Sequence, residues 1–451
     1  MNSTNMKSHY SSFFTSVLSL LCISLLFIPQ VSEAQVPPSI YNRYQTLATS
    51  FTQIIEEKEK QPTEESKQKL IENIKLFYQQ QSTHSLERQL LASNLYLQVL
   101  LMQQNYSQSY QVVESLLSQS LSQQQQLTFH QLAGQLAAQF KDASDASSMQ
   151  WSLVEKHFTA WFSILKKLDK KQRSNYKISE KQEASNAALL AQAFYLQHKL
   201  NEALFPAKQA YNLFPKEEPY LKLLLALLQG LEKYKELNQY LQIAVIDFPQ
   251  SEDYWHRLAY SYLSLDNNEL ALSTLAITRN QGLLNTQGYK ILASLYLQLQ
   301  QPRLAADVYL EGAKNKRLEK DESYYEILTN AWLMARDRKQ ALNLLASAKK
   351  AGFQSNKQEQ QQAQLLYLEG RWEEAEVAYK SLLRNHIEDK TQSTTKQQDK
   401  NKLTIDKWHF LLAMSQIEQN KKTQAKASLL SLQTKQYQGY AKEWIAQLEE
   451  K

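Results

Sequence analysis

The side chains able to do chemistry are few, and none of them stands in a catalytic pattern. The chain has one cysteine, Cys22, and 8 histidines. His256 follows Trp255 and His409 follows Trp408, so each is a single imidazole beside a packing residue. A metal centre would need further ligands at fixed offsets. Glu217-Glu218 and Glu373-Glu374 open or flank helices, where the helix dipole favours carboxylates without any acid–base role. No His-Glu-x-x-His, Gly-rich phosphate loop or Gly-x-Ser-x-Gly occurs. The reading is of a protein with no catalytic residue, no metal and no cofactor, whose work is to hold another molecule.

What would do the holding follows from the elements. With 8 Gly and 9 Pro in 451 residues, the chain offers few of the turns an all-β fold needs. Leu, Ala, Gln, Lys and Glu dominate, and all favour helix. Between 186 and 383 one pattern returns. Leu224, Leu258 and Leu292 are 34 apart, and so are Leu228, Tyr262 and Tyr296. Ala271 and Ala305, Ala341 and Ala375, and Pro215 and Pro249 keep the same interval of 34. A 34-residue period in helical, Gly-poor sequence is the signature of tetratricopeptide repeats. The predicted fold is all-α: a right-handed solenoid of such repeats, with irregular N-terminal helices and a C-terminal capping helix.

Repeats begin at 184, 218, 252, 286, 322 and 356. Each first helix carries bulky, apolar, small and bulky residues, as in Trp255, Leu258, Ala259 and Tyr262. The second helix brings a small residue, such as Ala271, to the crossing, where a larger one would push the pair apart. No pair can bury its apolar faces alone, so stability comes from stacking. Trp255, Tyr262, Tyr289, Tyr296, Tyr325 and Trp332 read as core, and Trp255→Ala is expected to cost about 3–5 kcal/mol. Pro206, inside a second helix, predicts a kink.

The side chains between the packing positions of the first helices would line a concave groove. They are Lys222, His256, Lys290 and Glu326, one per repeat, and beside them Tyr260, Ser294 and Asn330. This polar, mixed-charge row suits an extended peptide or a partner helix. The net charge of +6, from 51 basic and 45 acidic residues, is mild and mixed in sign. No long basic stripe of a nucleic-acid binder is present.

The rest of the chain divides by composition. In residues 1–34, Lys7, the apolar run Val17 to Ile28 and the small residues of Ser32-Glu33-Ala34 read as a signal peptide cleaved after Ala34. That run is too short to span a bilayer, and no later run is longer, so no membrane insertion is expected after cleavage. An exported product would lie in the periplasm of a Gram-negative cell. Residues 35–85 read as an extended leader through 35–40 and two capping helices. Residues 86–182 hold degenerate helix pairs, with Ser118 to Gln126 as a loop or frayed end and 169–182 as a charged linker. Regular repeats fill 183–387. Residues 388–403 read as a disordered insertion. A last pair and a capping helix, broken at Gln438-Gly439, occupy 404–451.

Some stretches are more specific. Tyr254-Trp255-His256-Arg257-Leu258-Ala259, Gln281-Gly282-Leu283-Leu284, Leu292-Ala293-Ser294-Leu295-Tyr296-Leu297 and Asn330-Ala331-Trp332-Leu333 resemble periplasmic tetratricopeptide proteins of TonB–ExbB–ExbD energy-transduction systems in marine gammaproteobacteria. The closing Ala441-Lys442-Glu443-Trp444-Ile445 is similar too. The resemblance covers most of the chain after residue 34 and is best over 252–348. It implies a non-catalytic partner of the TonB, ExbB or ExbD components, assisting uptake of iron–siderophore or haem. The alternative is an assembly scaffold for a secretion, pilus or polysaccharide-export machine of the envelope.

Overall fold

A repeat of this kind must bring small residues to each helix crossing and fill the gaps between pairs with large ones. The computed structural model describes residues 36–55, 63–140, 146–353, 355–388 and 395–450, and it meets this demand with helices alone. Among the described residues there are 22 helices and no strand, the all-α architecture of a tetratricopeptide solenoid. The chain divides into two compact units, Met1–Pro249 and Gln250–Lys451.

Unit 1 begins with α1 (Pro38–Ile55) and α2 (Glu64–Gln81). Thr63 caps α2 by accepting the Ser66 N–H, and Glu64 and Glu65 occupy its first turn. Next come α3 (Leu86–Met102) with α4 (Tyr106–Leu117), α5 (Gln123–Ala137) with α6 (Ala146–Lys167), and the short α7 (Lys170–Asn175). Two regular pairs complete the unit: α8 (Glu180–Leu196) with α9 (Leu200–Leu213), and α10 (Glu218–Gly230) with α11 (Tyr234–Asp247). Six of the seven leucines of α3, all but Leu86, are buried, as their number demands. In α6, Val154, Phe158, Trp161 and Leu165 form the buried stripe that their spacing predicts.

Unit 2 contains α12 (Glu252–Ser264), α13 (Asn268–Asn280), α14 (Thr286–Gln298), α15 (Pro302–Lys314), α16 (Glu322–Met334), α17 (Arg338–Lys350), α18 (Asn356–Leu368) and α19 (Trp372–Glu388). It ends with α20 (Thr395–Glu418), α21 (Lys422–Leu430) and α22 (Lys435–Glu450). Ala259, Ala271, Ala293 and Ala305 share one core with Leu275, Leu292 and Tyr309. α22 packs on α20 and α21 and buries Ala441 there.

The hairpin turns repeat as strictly as the helices. Gln104, His198, Glu232, Asp266, Gln300, Arg336, Gly370 and Asn420 all adopt φ between 55° and 70°. The next residue then donates its N–H to a carbonyl five positions back, as in Lys233 to Leu228 at 2.9 Å and Gln301 to Tyr296 at 2.8 Å. This is the Schellman closure of a helix. The accepting residues include Leu228, Tyr262, Tyr296 and Trp332, so the bulky repeat position packs with its side chain and closes the turn with its carbonyl. Seven of the eight left-handed positions carry a side chain, at a cost of roughly 1 kcal/mol each. Gln300→Gly is therefore expected to raise stability by about 0.5–1 kcal/mol, net of the freedom glycine gains in the unfolded chain. A higher urea midpoint at unchanged slope would register it.

One step of the array is longer. Residues 315–321 link α15 to α16, two more than the 281–285 and 351–355 links of the same unit. The extra length is folded inward. Leu318 is buried, and its N–H donates to the Gly312 carbonyl at 3.0 Å. A Cβ at residue 312 would lie 2.7 Å from Leu318 Cδ1, which is why the small residue here is glycine.

Several boundaries differ from expectation. Helix begins at Pro38, because a proline suits a helix's first turn. The loop before α5 ends at Ser122, whose hydroxyl forms a capping box with Gln125. Within 169–182 the same motif at Asp169 and Gln172 starts α7. The polar 388–403 stretch is helical from Thr395, as α20 begins there; its residues 389–394 lie outside the described residues. Pro206 does lie inside α9, as its place in the repeat predicts, and it is buried. α22 runs unbroken through Gly439, since helix packing outweighs the cost of one glycine, about 1 kcal/mol. Residues 1–34 also lie outside the described residues.

Candidate binding surface

In unit 2, side chains link α12 to α14 and α16 to α18. The Asn285 N–H, at the start of α14, reaches His256 on α12. Tyr260 on α12 is hydrogen-bonded to the Gln287 side chain on α14, and burial pushes its phenol up. Lys357 on α18 meets the Glu326 carboxylate on α16 at 3.0 Å. The outward positions of these helices recur at the repeat interval, and together they are the unit 2 row.

The residues assigned to the groove fall into two groups. Tyr260, Ser294, Glu326 and Asn330 are exposed in unit 2, and Lys290 is half-buried beside them. The Ser294 hydroxyl donates to the Lys290 carbonyl at 2.9 Å. Lys222 is exposed in unit 1, with Glu218 one turn away at 3.0 Å. Because Glu326 is paired with Lys357 and Asp253 with Arg257, the unit 2 row is close to neutral. Hydroxyls, amides and internally matched charges can hydrogen-bond an extended backbone without demanding a charged partner.

His256 is different: it is buried at 4% exposure, not outward-facing. Its Nδ1 lies 2.7 Å from the Glu252 carbonyl, and its Nε2 lies 3.2 Å from the Asn285 N. The first contact needs an N–H donor and the second needs an acceptor, so the ring is the neutral Nδ1–H tautomer. Burial lowers its pKa accordingly. The reason for the burial is a substitution one repeat on. Tyr220, Tyr254 and Tyr324 are buried at equivalent places in their repeats, but residue 288 is glycine. A Cβ there would stand 2.6 Å from His256 Nε2, so the imidazole occupies space that a side chain would take. Gly288→Ala is expected to displace the ring and cost about 2 kcal/mol. Thermal unfolding would show it, and His256→Ala in the same chain should relieve part of the loss.

Two polar clusters escaped the sequence reading. In unit 1, His157 is fully buried, with Nε2 2.9 Å from the Tyr110 hydroxyl and 3.3 Å from the Glu114 carboxylate. Its Nδ1 faces His130 Nδ1 at 3.1 Å, so one ring donates and the other accepts. Lys156 pairs with Glu114 at 2.8 Å. In unit 2, Glu376 is buried and accepts from Lys380 at 2.6 Å, Lys421 at 2.8 Å and Gln416 at 3.3 Å. Burial would raise its pKa, but these three donors hold it down to about 2. Gln416 accepts the turn bond of its hairpin, where Leu228 or Tyr262 stands in other repeats. That departure was the legible signal. His130 and His157, 27 residues apart, carried none.

Neither cluster is a metal centre: among the described residues no three His, Cys, Asp or Glu side chains are grouped to hold an ion. No helix of the described residues is long and apolar enough to cross a membrane.

The chain has a tetratricopeptide-repeat fold. No protein-family model matches it, and no curated protein matches it significantly. Solved structures do. MamA is 14% identical, with a TM-score of 0.33, over 39% of this chain and 97% of its own. YrrB, described as a TPR protein with an unusual peptide-binding site, is 16% identical, with a TM-score of 0.31, over 39% and 89%. The TPR2AB domain of yeast Sti1, described as a pHSP90 complex, is 15% identical, with a TM-score of 0.32, over 59% and 96%. The likeness is one of fold.

Proposed function

We propose that this protein is a non-catalytic scaffold that binds a protein or peptide along the first helices of its repeats. The observation that carries the reading is the unit 2 row, where Tyr260, Ser294, Glu326 and Asn330 stay exposed while Leu258, Ala259, Leu292, Ala293 and Leu328 on the same helices are buried. By their descriptions, YrrB has a peptide-binding site and the Sti1 domain a pHSP90 partner. The reading extends to place and partner. The charged start, apolar run and Ser32-Glu33-Ala34 favour export to the periplasm. The Gln281–Leu284 and Asn330–Leu333 sequences favour a role beside a TonB–ExbB–ExbD complex in iron–siderophore or haem uptake.

Affinity capture from periplasmic extract tests the partner. Wild-type protein is expected to recover TonB, ExbB or ExbD components, and Tyr260→Ala with Asn330→Ala to lose them while remaining folded. Recovery of a secretion, pilus or polysaccharide-export component instead would replace this reading with the envelope-assembly one. Cell fractionation, followed by N-terminal sequencing that begins at Gln35, tests export separately.

A further inference from the structure

Charge along the chain is uneven. From Lys166 to Lys181 stand seven cations and two carboxylates, so this stretch holds five of the chain's six net positive charges. It covers the end of α6, all of α7 and the first turn of α8, inside unit 1. Lys166, Lys167, Lys170, Lys171, Lys177 and Lys181 are all exposed. Arg173 is used internally: it lies 3.6 Å from the Glu183 carboxylate and donates to the Leu165 carbonyl at 3.1 Å. Asp169 is used as the cap of α7, accepting the Gln172 N–H at 2.7 Å. Lys166, Lys167, Lys170, Lys171 and Lys181 have no carboxylate within ion-pair distance among the described residues.

Helix stability accounts for only two of these five. Lys166 and Lys167 end α6, where the helix dipole favours cations. Lys170 and Lys171 open α7 and Lys181 opens α8, where the dipole disfavours them. Like charges this close in sequence also repel. Cations kept where they weaken the fold act on something outside it.

The chemistry of the patch narrows what that is. Trp161, Leu165 and Leu168 are buried beneath it, and Ile164, Tyr176 and Ile178 pack onto them. No large hydrophobic residue between 161 and 181 is exposed, so nothing is offered for insertion into lipid or for stacking on bases. Every outward cation is a lysine, a hydrated point charge without the planar fork that reads a single carboxylate or phosphate. Such a set fits a broad negative field. We propose that residues 166–181 are an electrostatic contact for an anionic lipid bilayer, holding the protein against the membrane surface without entering it.

The test is co-sedimentation of the full chain with vesicles of phosphatidylcholine alone and of phosphatidylcholine with phosphatidylglycerol. The neutral vesicles report any binding through the apolar residues 17–28. Binding to the anionic vesicles alone is expected, falling as added salt shortens the Debye length. Lys166→Gln, Lys167→Gln, Lys170→Gln and Lys171→Gln together should lower the partition constant by on the order of a thousandfold at low salt. The same change at the exposed Lys69, Lys75, Lys349 and Lys350 should leave it little altered, with circular dichroism confirming that both variants are helical. Failure to bind anionic vesicles, or equal binding by the two variants, would overturn the proposal. So would capture by polyglutamate that anionic vesicles do not compete, which would make an acidic polypeptide the partner.

Discussion

Replacing Tyr254 with Ala is expected to lower the unfolding free energy by about 3–5 kcal/mol, and replacing its neighbour Trp255 by less than half of that. Tyr254 is 0% exposed and among the largest fully buried side chains, whereas Trp255 is partly exposed. The expectation from sequence placed that cost on Trp255. Adjacent helical residues point about 100° apart, so the burial of one does not fix the burial of the other. The pattern aligned Trp255 with Leu221, Tyr289 and Tyr325, which are buried. It overlooked the column one residue earlier, where Tyr220, Tyr254 and Tyr324 are buried as well. Urea titrations of the two variants, followed by circular dichroism, decide between the assignments.

Acidification from neutral pH to about 4 is expected to weaken unit 1 by on the order of 3 kcal/mol, and His157→Gln to abolish most of that loss. Burial opposes a charge on His157, Glu114 favours one, and Lys156 and His130 oppose it again, bringing its pKa down to about 4. His130 is lowered also, first by burial. The folded state thus binds the proton more weakly than the unfolded state does. The full contribution is present above the unfolded value near 6.5 and drains away as pH falls toward about 4. Glu376 acts in a lower window, since a carboxylate held at about 2 loses its contribution only as pH falls below the usual carboxylate range. His256 adds a loss in the same direction as His157, so the decisive quantity is the difference between wild type and His157→Gln. Parallel pH profiles for the two would reject this role for the cluster.

The regular half of the fold was legible because its constraint is periodic. Leu224, Leu258 and Leu292 must meet the same neighbours in each repeat, so spacing alone located α10 to α19. The degenerate half was legible only in its apolar stripes. The turn at Gln104 has the dihedral and hydrogen bond of the regular hairpins, yet its side chain shares nothing with Glu232 or Asp266. A bond between backbone groups leaves little trace in residue type. The candidate surface was legible at Tyr260, Ser294, Glu326 and Asn330, where periodicity decides which way a side chain faces. It was not legible at His256. That side chain's position depends on a missing Cβ at Gly288, 32 residues later, and no local pattern carries such a compensation.

The sameness of the eight hairpin turns has a genetic consequence. A gene that lost or duplicated the codons between Asp266 and Gln300 would rejoin backbone at matching dihedral angles, φ 55° on each side of the splice. Recombination could thus change the number of modules without inventing a new corner. The 315–321 link breaks this interchangeability, so a module exchanged across it would have to carry its own Leu318 and Gly312.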